Sequence, residues 1–236
     1  MVEFENFQTY FSSARVNRYL SATNNSKNRA ISLYKANLMI SQAFYPLIGI
    51  LEVILRNRLN DILADYFTDS DWIINQKEGF MSDSTLSYTY KRTGTPKLND
   101  FLKSEIIRVE NRLQKSGVLI TSGKIIAEQT FGFWTNFFEV HHYRLLKGRP
   151  IKIFKYLPPN HGRKKIIDEL NKIRKFRNRI YHNEPICFDG ENIDFLNTLD
   201  VYKSLKNLLQ WIDPSIITLL KELDKVLETI EMAESI

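Results

Sequence analysis

Apolar side chains recur along this chain at three- and four-residue steps, and the alternation of a half-buried strand is hard to find. That periodicity predicts a succession of helices. The first covers roughly Phe4 to Leu20 and ends in the polar run SATNNS. Ser26 then caps a long helix reaching about Phe67. Along it Ile31, Tyr34, Leu38, Phe44, Leu47, Ile48, Leu51, Leu55, Leu59 and Ile62 fall mostly on one face. Pro46, with Gly49 close behind, is expected to kink that helix or split it in two.

Residues 68–95 keep no period and are rich in Ser, Thr, Asp and Gly. They read as a long connection or insertion with about one turn of helix, a class of loop often functional or mobile. Thr95-Pro96 reads as the start of a helix that runs to about Ser116 and is stopped by Gly117. A further helix begins after Thr121 or Ser122, carries the aromatic cluster TFGFWTNFF and reaches about Leu146. Helix 163–182 follows the PPNHG turn and stops before Pro185. Helices over about 193–211 and 214–234 close the chain, the second opened by Asp213-Pro214. The expected fold is all-α, one domain over residues 1–236.

Composition narrows the setting. A hydrophobic share of 43% and a charged share of 25% are those of an ordinary globular protein, and 236 residues suffice to bury a sizeable core. The 33 Lys and Arg against 27 Asp and Glu permit a polyanionic partner without demanding one. Cys187 is the single cysteine, so neither an intramolecular disulfide nor a cysteine zinc site is available, which fits a reducing cytoplasm. The N-terminal MVEFENFQTYF lacks the basic and apolar regions of a signal peptide. The most apolar run, Leu38 to Leu55, is interrupted by Gln42, Pro46 and Glu52 and reads as a core helix rather than a membrane span. No glycine-rich phosphate loop occurs, His141 and His142 cannot share a helix face, and His161 has no acidic or cysteine neighbour. No metal and no cofactor are therefore expected.

The chemically informative stretch is KKIIDELNKIRKFRNRIYHNEPI, residues 164–186. Ile166, Ile167, Leu170, Ile173, Phe176 and Ile180 keep helical spacing, while Lys164, Lys165, Lys172, Arg174, Lys175 and Arg179 occupy the other positions. A basic amphipathic helix is most often a solvated charged face; its other use is to meet phosphate. Arg177 and His182, with the polar Asn178 between them, favour the second use. RNA cleavage by its own 2′-hydroxyl needs a group that exchanges protons near neutral pH, which histidine does. It also needs a fixed cation against the charge growing on the phosphate, which arginine supplies as a planar fork of donors. On a straight helix Arg177 and His182 stand about 140° apart, whereas Asn178 and His182 share a face. The nearness of Pro185 is expected to let the backbone unwind and re-aim His182.

RNRIYHNEPI resembles the signature of the Abi-like, abortive-infection proteins of the HEPN superfamily. LEVILRNRLNDIL, residues 51–63, resembles their Glu-x-x-Leu-Arg-Asn segment, and TFGFWTNFF, residues 130–138, their Phe-Gly-x-Trp segment. The three stand in the family's order and span about residues 30–210. The resemblance implies a HEPN-type helical bundle with additional helices. It also implies a metal-independent endoribonuclease with Arg177, Asn178 and His182 as catalytic residues, and a homodimer in which two motifs face each other in a shared cleft. It further implies RNA as substrate, a role in anti-phage defence or as a toxin, and an antitoxin protein or RNA as a partner.

Around that motif each residue carries two readings. Glu52, Arg56 and Asn57 either lie behind the motif and orient Arg177 or a phosphate, or form an ordinary Glu52–Arg56 pair one helical turn apart. Arg179 and Lys175 either bind phosphate or are exposed charges, and Tyr181 either stacks on a base or packs at a dimer seam, the commoner role. Glu184-Pro185 fixes the loop after His182. The aromatic cluster is core rather than a stacking platform, and Cys187 a buried apolar residue rather than a nucleophile. Two rivals remain: a non-catalytic RNA-binding or RNA-sensing protein, and a helical interaction module that pairs its basic helix with an acidic one.

Overall fold

The computed structural model describes residues 3–90 and 92–236. Met1 and Val2, part of the expected leaderless N-terminus, and Lys91, inside the expected connection, lie outside the described residues. The chain is predominantly helical. It opens with α1 (Phe4–Phe11), α2 (Ser13–Ala22) and the 41-residue α3 (Lys27–Phe67). A short α4 (Trp72–Asn75) leads into the hairpin β1 (Ser87–Thr89) and β2 (Pro96–Leu98). Next come α5 (Phe101–Lys115), α6 (Ser122–Glu128), α7 (Phe131–Thr135) and α8 (Val140–Leu145), and then α9 (Arg163–Tyr181). A tight hairpin, β3 (Phe188–Asp189) with β4 (Asn192–Ile193), turns on Gly190 at φ 55. The chain closes with α10 (Leu196–Ile212), α11 (Ser215–Leu219) and α12 (Val226–Glu234).

These elements form two compact units. One comprises Met1–Leu51, Lys172–Gln210 and Pro214–Ile236; the other comprises Glu52–Asn171 and Trp211–Asp213. The first is built around the N-terminal half of α3. Leu33, Asn37, Ile40, Phe44, Leu47 and Leu51, all fully buried, continue one face at three- and four-residue steps. Phe7 of α1 and Tyr19 of α2 meet Tyr34 edge-on at 5.1 and 5.2 Å. Phe44 packs 4.7 Å from Phe176 of α9 and 6.3 Å from Tyr202 of α10. By length and composition α3 is apolar enough to cross a bilayer, yet its most apolar face is spent on these helices. Pro46 does not split it. Removing one N–H and crowding one carbonyl is a local cost, set against a flanking face that is buried on both sides of the proline.

The second unit has an aromatic core. Phe131, Phe133, Trp134, Phe137 and Phe138 are all buried, as expected for the TFGFWTNFF cluster. Trp72 and Phe80 from the 68–95 segment join them, at 5.9 and 6.3 Å from Phe137. That segment carries the expected turn of helix as α4 and packs through it and beyond, with Ile73, Met81 and Leu86 also buried.

Several boundaries differ from the periodicity. Ser12 at φ 65 breaks the first expected helix in two. Pro96 opens a strand rather than a helix, and α5 starts only at Phe101. The expected helix over 122–146 is three short ones, because extended backbone at Gln129, Thr130 and Glu139 interrupts it, and the Thr130 hydroxyl caps α7 by accepting from the Phe133 N–H. The last expected helix breaks after Leu219 and resumes at Val226.

Candidate functional site

The end of α9 and the loop behind it are held from four directions. The helical ladder runs through His182, whose N–H reaches the Asn178 carbonyl at 3.1 Å. Then Glu184 N–H bonds to Arg179 C=O at 2.9 Å and Asn183 N–H to Ile180 C=O at 3.0 Å. With Asn183 at φ 51, this is a Schellman motif with asparagine in the left-handed position. His182 is thus the helix C-cap residue. The expected unwinding before Pro185 does not occur: the two bonds close the helix at Asn183 without disturbing the last turn, so Arg177 and His182 keep their separation of about 140° around α9.

Beyond the cap, Arg15 of α2 donates to the Asn183 carbonyl at 3.2 Å, and Arg18 to Gly190 C=O at 2.7 Å while lying 4.5 Å over the Phe188 ring. Ile186 is clamped on both sides of its backbone. Its N–H donates to the fully buried Asn37 side chain at 2.7 Å, and its carbonyl accepts from Thr198 at 2.6 Å. Arg179 closes the same loop by donating to the Pro185 carbonyl and lying 3.5 Å from the Glu184 carboxylate. Its guanidinium thus fixes the backbone that follows His182. Sequence reasoning missed Arg15, Arg18, Asn37 and Thr198. Of these only Asn37 left a signal, a lone amide inside an apolar helical face.

His182, Asn178, Lys175 and Tyr181 are exposed, and Arg177 is half-buried. The Arg177 guanidinium sits 4.4 Å above the Tyr181 ring, one turn on, which braces it by a cation–π contact. The remaining basic face is partly neutralised. Lys164 and Lys165 pair with Asp168 and Glu169, and Lys172 reaches Asp200 at 2.7 Å. Arg174 and Lys175, the two residues before Phe176, stand outside those pairs and keep cationic character close to Arg177. Beside the motif α3 and α9 enclose a cleft of about 380 Å³, with Tyr45 and Tyr181 on its walls. Glu52, Arg56 and Asn57 lie on the part of α3 that belongs to the second unit, where Arg56 donates to the Asn57 side chain at 3.2 Å.

No protein-family model, curated protein or solved structure matches this chain. The site is therefore read from its own residues. Among the described residues no three His, Cys, Asp or Glu side chains cluster as metal ligands would. Cys187 is fully buried, and burial pushes its thiol up to about 12, so it holds a proton at neutral pH and packs as an apolar group. His142 is fully buried as well and His161 lies 5.1 Å from the Trp211 ring in an edge-on contact.

Proposed function

We propose that this chain is a metal-independent endoribonuclease of the Abi-like, HEPN type, with α9 as the site-bearing helix of a HEPN-type bundle. The observation that supports it most is the C-terminal turn of α9. There an exposed histidine ends a cationic helix, an arginine five residues before it is braced against Tyr181, and the following loop is anchored by its backbone. In this reading His182 accepts the proton of an RNA 2′-hydroxyl, and the freed oxygen attacks the adjacent phosphorus. The P–O5′ bond breaks, and the departing 5′-oxygen receives a proton from imidazolium. The products are a 2′,3′-cyclic phosphate and a 5′-hydroxyl. Arg177 holds the charge gathering on the phosphate. Asn178, on the face of His182, positions the phosphate or a partner group.

The angle between Arg177 and His182 bears on how many chains this takes. Side chains about 140° apart on one helix do not converge on one phosphate, so the working enzyme is a homodimer in which motifs from two copies share a cleft. The biological role that goes with it is anti-phage defence or toxicity to the host cell, restrained by an antitoxin protein or RNA. The same angle favours one rival, a protein that binds RNA through Arg177 and His182 without cutting it.

One paired experiment tests the reading. Wild type and His182→Ala are expressed from an inducible promoter, and each purified protein is incubated with total RNA and EDTA. Growth arrest and EDTA-resistant cleavage by the wild type, both abolished by His182→Ala, are expected. RNA left intact by the wild type, yet bound with a steep salt dependence, would hand the site to the rival; equal cleavage by the variant would remove His182 from it.

A further inference from the structure

Resting on the ribonuclease reading, we propose that the cleft between α3 and α9 is a nucleobase subsite that takes one unpaired base of single-stranded RNA beside the phosphate held by Arg177. Leu38 and Ile180 give the cleft an apolar lining, Tyr45 and Tyr181 its aromatic surface, and Gln42 and Asn183 its amides. None of the lining residues is charged. Such a surface suits the flat, neutral part of a nucleotide and not its phosphate. The cation stands next to it instead, with Arg177 4.4 Å from the face of Tyr181. Stacking surface and phosphate ligand are thus adjacent and chemically separate, the division of labour found in single-strand binding grooves.

The tyrosines carry the argument. Tyr45 is 62% exposed and Tyr181 52%, although a tyrosine ring is mostly apolar and usually finds cover. Their centroids are 6.2 Å apart and their planes 33° from parallel, so the rings touch and form one aromatic surface. Arg177 covers one face of Tyr181, and the rest of that surface is where a flat ligand stacks. Asn183 is fixed by its backbone, through Ile180 on one side and Arg15 on the other. Its side-chain amide takes no part in that anchoring. Together with the exposed Gln42 it supplies donors and acceptors of the kind that read a base edge. A volume of about 380 Å³ lies at the low end for small-ligand pockets. That is room for an extruded base, and because a base within a duplex is already stacked and paired and cannot present its face to the tyrosines, selection against duplex follows. A second copy of the chain is a poorer occupant. The shared-cleft dimer brings a second copy near this end of α9, but an uncharged aromatic lining with a cation at its edge complements a nucleotide better than the basic helix of that copy.

The test uses full-length protein silenced by His182→Ala, with and without Tyr45→Ala or Tyr45→Trp. The probe is a short single-stranded RNA carrying 2-aminopurine at one position, and its duplex. Expected are strong quenching of 2-aminopurine in the single strand, little in the duplex, about tenfold weaker binding with the quench lost in Tyr45→Ala, and recovery of both in Tyr45→Trp, the size of one lost base stack. Binding and quenching unchanged by Tyr45→Ala overturn the subsite. So does a Tyr45→Ala variant that turns from dimer to monomer in sedimentation while its RNA affinity holds, which assigns the rings to a seam between copies. Cleavage by the protein with His182 intact is scored separately: quenching without any cleavage keeps the subsite and removes the nuclease, whereas cleavage without Tyr45-dependent quenching does the reverse.

Discussion

At the scale of single residues, the second unit hides a titratable group that the chemistry above does not use. His142 is fully buried, and its ring nitrogens make no well-formed hydrogen bond to the protein. Burial pushes its pKa down from 6.5 to about 4, opposed only in part by the Asn136 backbone. The folded state therefore binds this proton less readily than the unfolded chain. Stability is fully present above about pH 6.5 and is lost as pH falls toward 4, by roughly 3 kcal/mol for a shift of this size. His142→Phe is expected to flatten that part of the curve of unfolding free energy against pH, followed by urea titration at half-unit steps. A variant with the wild-type slope would place the acid sensitivity elsewhere. In the sequence, His142 was legible only as a residue unable to share a face with His141. Its burial comes from the break at Glu139 and the short α8, which no local pattern announces. The motif residues were easier to find, because Arg177, Asn178 and His182 stand out on a basic helix, while the groups that hold their backbone come from three other helices.

At the scale of elements, long periodic helices were legible and their interruptions were not. The reading of α3 to Phe67 and of α9 over 163–182 holds to within a residue or two, because sustained apolar spacing outweighs any single unfavourable residue. It misplaced the buried positions slightly: Asn37, Ile40 and Leu63 face inward, while Leu38 and Ile62 are half-buried. It failed where one residue's backbone decides, as at Ser12, or where a proline serves a strand rather than a helix, as at Pro96. Pro46 illustrates the balance within α3. In a helix interior proline costs about 3 kcal/mol relative to alanine, and roughly 1 kcal/mol is returned by the stiffer unfolded chain. Pro46→Ala is thus expected to stabilise the fold by about 2 kcal/mol, read as a higher urea midpoint at unchanged slope. A lower midpoint would mean that α3 has adapted its packing to the proline and that the restored N–H finds no acceptor.

At the scale of the whole molecule, the division into two units was not legible, because each is assembled from segments far apart in the chain. Both α3 and α9 contribute one end to each unit, so no composition shift or linker marks a boundary. The reading that depends most on this scale is the shared site. If Arg177 and His182 of one chain served the same phosphate, each chain would be complete in itself, and mixing two inactive variants would yield nothing. If instead the phosphate takes Arg177 from one copy and His182 from the other, a dimer pairing Arg177→Ala with His182→Ala retains one of each on opposite chains. About half of a randomly mixed population of such dimers has this composition. Cleavage is therefore expected to reappear when the two purified variants are mixed and allowed to exchange. It should reach within roughly fourfold of wild type at equal total protein, and it should fade on dilution as dimers dissociate. The His182→Ala variant is sound for this purpose because the side chain is exposed and its substitution leaves the helix cap, whose bonds are all main-chain, in place. Silence of the mixture at concentrations where light scattering reports mixed dimers would return both residues to a single chain, and with them the need for α9 to bend at its last turn.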